Sequence, residues 1–153
     1  MTVDVGTAAP DFVLTDHNRE SVRISDEFAR RPVVLAFFPA AFSSVCATEL
    51  CTIRDDLATL GSAGVFGISV DTFFTLKAFH RDLGLGYSLL SDFNKEVIRQ
   101  YGVFCEDMIG LKGLAKRAVF LIDTSGRVRY REVLEDARHE PDYARLREAI
   151  SLL

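Results

Sequence analysis

An uninterrupted apolar run, Val33 to Phe38, predicts a strand that is buried on both faces. Pro39 ends this strand, because proline has no N–H to donate to a sheet. Ser43 or Ser44 follows and is suited to cap a helix. Apolar residues at helical spacing then predict that this helix continues to about residue 60, where glycines end it. The apolar stripe consists of Leu50, Ile53, Leu57 and Leu60.

Shorter patterns predict the remaining elements. We expect a hairpin over 11–24, one capped helical turn over 25–28, a buried strand over 65–70, helices over 75–83 and 95–101, a turn over 89–92, a hairpin over 118–134 and a closing helix from Pro141 or Asp142. The strand–helix–strand unit over 33–70 requires a parallel pair with a right-handed crossover. The sequence therefore predicts an α/β fold whose central mixed β-sheet is flanked by helices, with an N-terminal hairpin extension.

Composition narrows the classes of function. The 153 residues, about half of them apolar, contain no linker or repeat, so we expect one domain over 1–153. A formal net charge of −4 argues against a nucleic-acid partner. The basic residues of 127–131 alternate with apolar ones, which is typical of an exposed edge strand. No segment has the length and apolarity of a membrane span, and the first residues do not resemble a signal peptide, so we expect a cytoplasmic protein.

Cys46 is the candidate reactive residue. If Ser43 is the N-cap, Cys46 is the third residue of the helix, beside unpaired backbone amides and the positive end of the helix dipole. Such a position favours the thiolate, which is the nucleophilic form. A cysteine considered alone is more often a buried, inert residue, so the surrounding residues have to decide. The three histidines are scattered without ligand spacing, and we expect neither a metal nor an organic cofactor.

The run Pro39-x-x-x-Ser43-x-x-Cys46 resembles the active-site signature of the peroxiredoxins, Pro-x-x-x-Thr/Ser-x-x-Cys. The opening segment 3–14, Glu49 and Arg117 also match features of that family, in order along the whole chain. The resemblance implies a thioredoxin-like fold and a thiol-dependent peroxidase. A disulfide oxidoreductase of that fold would have Cys-x-x-Cys, whereas this chain has glutamate at the second cysteine position.

The resemblance also implies a role for each residue of the motif. Cys46 attacks the peroxide, Arg117 favours the thiolate and stabilises the leaving oxygen, and Glu49 orients the arginine. Ser43 lies one helical turn before the cysteine, close enough to bond the sulfur or the peroxide, and Pro39 shields the sulfur. The plainer alternatives are an N-cap for Ser43 and a surface charge for Arg117. Serine in place of the commoner threonine lacks the methyl group that restricts the hydroxyl.

Cys51 lies five residues after Cys46 on the same predicted helix, which separates their Cα atoms by about 7.5 Å and places them on different faces. A disulfide tolerates only about 4.4–6.8 Å, so the helix would have to unwind. Q-type (bacterioferritin-comigratory) peroxiredoxins, which this spacing resembles, resolve the sulfenic acid in that way. Alternatively, Cys51 is a core residue. Cys105 follows a predicted helix end and is either a structural thiol, a second candidate for resolving Cys46, or a thiol that pairs between chains.

The sequence leaves several functions open. The leading one is reduction of hydrogen peroxide and small organic hydroperoxides, with thioredoxin or a similar dithiol protein as the reductant. The alternatives are a one-cysteine enzyme of the alkyl hydroperoxide reductase E-like group that uses an external thiol, a non-catalytic peroxide-sensing switch, and a holdase or scaffold in which Cys46 is dispensable. Phe42, Phe73, Phe74 and residues 101–104 form either an apolar patch for a homodimer or part of the core.

Overall fold

The computed structural model describes residues 3–60 and 62–153, without the side chains of residues 57–60. The strands are β1 (Val13–Asp16), β2 (Ser21–Arg23), β3 (Val33–Phe37), β4 (Gly64–Ser69), β5 (Ser88–Ser91), β6 (Phe104–Cys105), β7 (Leu114–Ala115), β8 (Arg117–Ile122) and β9 (Val128–Leu134). The helices are α1 (Ile24–Phe28), α2 (Ser44–Leu60), α3 (Phe73–Leu83), α4 (Glu96–Gln100) and α5 (Tyr143–Ser151).

Seven of these strands form one mixed sheet in the order β2-β1-β5-β4-β3-β8-β9. The strands β3, β4 and β5 are parallel to one another, whereas β1 and β8 run antiparallel to their neighbours. The strand–helix–strand unit and the closing hairpin therefore have the predicted arrangement, and the mixed α/β sheet is confirmed. The basic segment 127–131 lies in β9 or at its start, and β9 is the edge strand that was expected.

The central strand β3 is buried on both faces because helices cover each side of the sheet. Val33, Leu35 and Phe37 face a cluster that contains residues of α1 and α4. The intervening Val34 and Ala36, with Phe38 after the strand, face a second cluster built from α2, α3 and α5. This double burial explains why β3 is a continuous apolar run rather than an alternating pattern. Cys46 belongs to the second cluster.

Some predicted elements differ from the structure. Residues 89–92 were expected to be a turn, but Leu89 to Ser91 lie in β5, which pairs with β4 on one side and β1 on the other. A short apolar pair in the sequence does not distinguish a turn from a buried strand. The strand is defined by its hydrogen-bonded neighbours β1 and β4, which come from distant parts of the chain. The helix α1 begins at Ile24 with no side-chain cap, so the predicted cap is wrong. Leu57, Leu60 and Gly61 of the predicted stripe and helix stop lie outside what the structure describes.

The predicted apolar patch divides between core and surface. Tyr101 and Val103 are buried in the first cluster, where Tyr101 packs edge-on against Phe120, so the core explanation holds for them. Phe42 and Phe74 are 56% and 68% exposed. Within residues 3–60 and 62–153, no helix combines the length and apolarity needed to cross a bilayer.

Candidate active site

The sheet topology brings the beginning of β8 to the point where β3 ends. Phe37 pairs with Ala118 across the antiparallel ladder, so Arg117, one residue earlier, lies beside the chain that leaves β3. The same chain runs through Pro39 into α2, which begins at Ser44. Residues that are about 70 positions apart in the sequence therefore meet at the carboxyl end of β3. Arg117 is next to the helix that contains Cys46.

Cys46 is the third residue of α2, and its side chain is fully buried. Since Ser43 directly precedes the helix and its carbonyl accepts the N–H of Ala47, the first turn is regular. Cys46 therefore lies in the turn whose amides have no partner within the helix, as the sequence predicted. The helix N-terminus and the nearby guanidinium both favour a negative charge on the sulfur.

Arg117 is 1% exposed and makes polar contacts with three residues. Its Nη2 donates to the Cys46 sulfur at 3.3 Å, and its Nη1 donates to Glu49 Oε1 at 2.6 Å. The Ala137 carbonyl accepts from both Nε and Nη2, at 3.1 and 2.9 Å. A guanidinium held from two sides in this way has one orientation, and it presents a permanent positive charge to the sulfur. The surface-charge alternative for Arg117 is wrong.

Glu49 is one helical turn beyond Cys46 and is fully buried. Its Oε1 accepts from Arg117, whereas its Oε2 has no hydrogen-bond partner among the described residues. Burial raises the pKa of Glu49 to about 7, although the neighbouring Arg117 opposes the shift. The same carboxyl holds the pKa of Arg117 above its usual value against the effect of burial. Burial therefore favours the neutral Glu49 carboxyl, whereas Arg117 favours the carboxylate.

Pro39 and Ser43 lie on the wall of a groove that borders the site. Pro39 is buried, and both residues line a groove that also reaches Arg117. The Ser43 hydroxyl donates to the Ala40 carbonyl at 3.0 Å and is exposed. In this state the hydroxyl is bound to the loop rather than to the sulfur. The Ser43 side chain lines the groove beside Pro39.

Two parts of the site were not predicted from the sequence. Asp71 accepts from the Ala41 N–H at 2.8 Å and from the Ser69 hydroxyl at 2.6 Å, and thereby fixes the loop between β3 and α2. Its position two residues beyond β4, which is parallel to β3, was the available signal. The Ala137 carbonyl gave no signal, because any residue supplies a backbone oxygen.

Cys51 lies within the unbroken helix α2, is half-buried, and has a free thiol, as do Cys46 and Cys105. The later part of α2 is anchored by Tyr87, whose hydroxyl donates to the Leu50 carbonyl at 2.7 Å, and by Arg54, whose Nη1 donates to the Leu83 carbonyl. Arg147 of α5 adds an ion pair to Asp56 at 2.9 Å. Two of these three contacts, those of Arg54 and Asp56, lie beyond Cys51.

The groove at the site entrance has a volume of about 780 Å³ and is open to solvent. Other lining residues come from the end of β6, at Cys105, and from the segment that links β6 to β7, including Leu111. Cys105 follows the end of α4, as expected, and lies in β6, where it pairs with Leu114. Its thiol contacts the Asp107 carbonyl at 3.5 Å. Within the described residues, no three His, Cys, Asp or Glu side chains are grouped as metal ligands would be.

Comparison with known proteins gives a consistent assignment. Residues 5–131 match the AhpC/TSA family. The chain is 36% identical over 135 residues to alkyl hydroperoxide reductase E of Mycobacterium tuberculosis, covering 86% of each. It is 36% identical over 130 residues to the chloroplastic peroxiredoxin Q of Oryza sativa, covering 84% of this chain and 58% of that one. The crystal structure of peroxidoxin BcpB from Mycobacterium tuberculosis superposes with a TM-score of 0.86 at 29% identity over 99% of this chain and 98% of that one. These matches, together with a buried cysteine bonded to an arginine at a helix N-terminus, show that the chain belongs to the AhpC/TSA family of peroxiredoxins, which are thiol-dependent peroxidases of thioredoxin-like fold.

Proposed function

We propose that Cys46 is the peroxidatic residue and that it reduces hydrogen peroxide and organic hydroperoxides. The observation that carries this assignment is the Arg117 guanidinium, which contacts the Cys46 sulfur and the Glu49 carboxyl in a buried site. Four of the five guanidinium N–H groups bond described residues, which leaves one Nη1 donor for a bound peroxide. Pro39 and Ser43 complete the entrance.

The reaction follows from this geometry. The Cys46 thiolate attacks one peroxide oxygen, the O–O bond breaks, and the other oxygen leaves as hydroxide or alkoxide and takes up a proton. Cys46 is thereby oxidised to the sulfenic acid, while the peroxide is reduced to water or an alcohol. Arg117 stabilises the negative charge as it moves from sulfur to the leaving oxygen. Glu49 acts through Arg117 as a positioning residue.

Cys51 resolves the sulfenic acid in this proposal. Its thiol condenses with Cys46-SOH, a disulfide forms and one water leaves. In a regular helix the two Cα atoms are about 7.5 Å apart, so the first turns of α2 have to unwind. Two features support local unwinding. The Thr48 and Thr52 hydroxyls each donate to the carbonyl four residues earlier, and such bonds weaken a helix. Arg54 holds the later turns in place, so the unwinding can stay confined to the first turns.

A dithiol protein such as thioredoxin then reduces the disulfide. This reductant is proposed because unwinding would expose a short-lived disulfide at the surface, where another protein can reach it. Three cysteines are an odd number, whereas a structural disulfide framework normally uses an even one, and this composition supports the proposal of a cytoplasmic, reducing location. We also propose that residues 1–153 form a single domain.

A homodimer is the proposed assembly. Phe42 and Phe74 are more than half exposed, and Phe93 is 59% exposed. Phe73 packs against Phe74, and both line a depression together with Phe93, whereas Phe42 packs against the buried Phe79. Exposed aromatic side chains of this number favour burial against a second copy.

Replacing Cys51 with serine tests the two-cysteine assignment, with Cys105→Ser as the matched control. Peroxide consumption with thioredoxin and thioredoxin reductase should fall at least a hundredfold in Cys51→Ser and remain unchanged in Cys105→Ser. Loss of turnover in Cys105→Ser alone would transfer the resolving role to Cys105. Full turnover in both variants would establish a one-cysteine enzyme with an external thiol. A single oxidation of Cys46 without turnover under any reductant would indicate a redox switch.

A further inference from the structure

A turn between β9 and α5 holds one side of the Arg117 guanidinium. The His139 N–H bonds the Asp136 carbonyl at 3.2 Å, which closes a four-residue turn over 136–139. The carbonyl in the middle of this turn, that of Ala137, accepts from both Nε and Nη2 of Arg117. Two of the four guanidinium hydrogen bonds therefore end on one backbone oxygen of this turn.

The side chain of Asp136 fixes the middle peptide of the turn. Its Oδ1 accepts the Arg138 backbone N–H at 3.0 Å. In a trans peptide, the N–H and the carbonyl of the preceding residue point in opposite directions. Because this N–H is held toward Asp136, the Ala137 oxygen of the same peptide points to the other side, where Arg117 lies. Without the Asp136 carboxylate, the middle peptide can rotate or the turn can open.

The Arg138 side chain reinforces the same carboxylate. Its Nε donates to Oδ1 of Asp136 at 3.0 Å, and its Nη2 donates to Oδ2 at 2.7 Å. These bonds to Arg138 lower the pKa of Asp136, so the carboxylate stays charged at neutral pH. Among the described hydrogen bonds of Arg117, none is made with Asp136 itself. The link between the two residues is therefore the Ala137 carbonyl.

We propose that Asp136 is a positioning residue for the oxidation of Cys46: it sets the direction of the Ala137 carbonyl and thereby orients the Arg117 guanidinium at the sulfur. The Nη2 atom that donates to this carbonyl at 2.9 Å is the same atom that donates to the sulfur at 3.3 Å. A change in the carbonyl therefore moves the donor that the sulfur depends on. This inference rests on the proposed function, in which Arg117 stabilises the charge that moves from the sulfur to the leaving oxygen.

The test compares second-order rate constants for Cys46 oxidation by hydrogen peroxide. Asp136→Ala removes the acceptor of the Arg138 N–H and should lower the rate constant about fivefold. Asp136→Asn removes the charge but keeps a side-chain oxygen that accepts this N–H, as asparagine commonly does in turns, so its rate constant should stay within about twofold of the original.

Asp123→Ala is the matched control. Oδ1 of Asp123 also accepts backbone N–H groups in a turn, those of Ser125 at 2.9 Å and Arg127 at 3.0 Å. That turn joins β8 to β9 at the opposite end of the hairpin from Arg117. The control should therefore leave the rate constant unchanged. Thermal unfolding of both alanine variants shows whether each change has reduced the stability of the whole fold.

A double-mutant cycle with Arg117 separates positioning from a general structural effect. In the Arg117→Met variant, Asp136→Ala should cause no further loss, because both changes act through the same guanidinium. The proposal is overturned if Asp136→Ala keeps the original rate constant, if it slows Arg117→Met by the same factor, or if Asp136→Asn is as slow as Asp136→Ala. An Arg117→Met variant that reacts as fast as the original protein would instead contradict the proposed function.

Discussion

Arg117 Nη2 lies 3.3 Å from the Cys46 sulfur, while Nη1 of the same guanidinium lies 2.6 Å from Glu49 Oε1. The helix α2 and the strand β8 are thus joined by one buried cation that touches both a candidate nucleophile and a carboxyl group. The contact depends on the antiparallel pairing of β3 with β8, which brings Arg117 to the start of the helix.

Replacing Arg117 with methionine should lower the rate constant for Cys46 oxidation by hydrogen peroxide about 10²–10³-fold, because the donor at the sulfur and at the leaving oxygen is lost. Rapid-mixing competition with a second peroxidase measures this rate. Lys116→Met is the control, since Lys116 forms an ion pair at the surface with Glu135 at 3.1 Å and should leave the rate unchanged. Equal rates in the two variants would show that Arg117 takes no part in the oxidation of Cys46.

Glu49 should make the stability of the protein depend on pH. Its pKa is raised from 4.5 to about 7 by burial, so the folded state binds the proton more tightly than the unfolded state. The stability from this group is fully present below about pH 4.5 and is lost as pH rises through about 7, by up to about 3 kcal/mol. Urea unfolding of Glu49→Gln between pH 5 and 8 should lack this loss.

The control for Glu49 is Glu135→Gln, which removes an exposed carboxyl and should retain the pH dependence of the original protein. If Glu49→Gln showed the same decline in stability between pH 5 and 8, the raised pKa would be wrong. The same Glu49→Gln variant should keep Oε1 as an acceptor for Arg117, so Cys46 oxidation by hydrogen peroxide should keep most of its rate.

Tyr87→Phe should speed disulfide formation after Cys46 is oxidised. The Tyr87 hydroxyl holds the Leu50 carbonyl at 2.7 Å, and a bond of about 1 kcal/mol that opposes unwinding corresponds to about fivefold in rate. Tyr101→Phe is the control, because that hydroxyl bonds the Pro10 carbonyl at 2.6 Å, away from α2. Stopped-flow detection of the lost sulfenic acid measures both. A slower or unchanged step in Tyr87→Phe would mean that unwinding does not limit resolution.

His80, whose imidazole stacks on that of His17, should make the fold sensitive to acid. Their ring centroids are 3.8 Å apart, and His17 Nδ1 accepts the Leu89 N–H at 3.3 Å. Burial and the neighbouring His17 lower the pKa of His80. The associated stability is present above the unfolded pKa of 6.5 and is lost as pH falls through the lower folded value.

Thermal unfolding should therefore show a smaller loss between pH 7 and 5 in His80→Phe than in the original protein, since phenylalanine keeps a stacked ring but does not titrate. His139→Gln is the control, because His139 is exposed and contacts only the surface residue Asp136 among the described ion pairs. An unchanged loss in His80→Phe would assign the acid sensitivity to other groups.

The sequence predicted the parts of this protein that depend on local pattern. Apolar patterning and capping residues predicted three elements that the structure confirms: the strand within 33–38, the helix that contains Cys46 and the closing helix capped by Asp142. It did not distinguish β5 from a turn, because that strand is defined by its neighbours on both sides. The same limit applies to the Ala137 carbonyl and to the groove that borders the site, which arise only when distant segments come together.

Treatment of the fully reduced protein with one equivalent of hydrogen peroxide, followed by mapping of its thiols by mass spectrometry, tests the peroxidatic role of Cys46 directly. We expect a Cys46–Cys51 disulfide with Cys105 still reduced, which requires both a reactive Cys46 and the unwinding of α2. A Cys46 that remains a free thiol while peroxide is present would contradict the assignment of the active site.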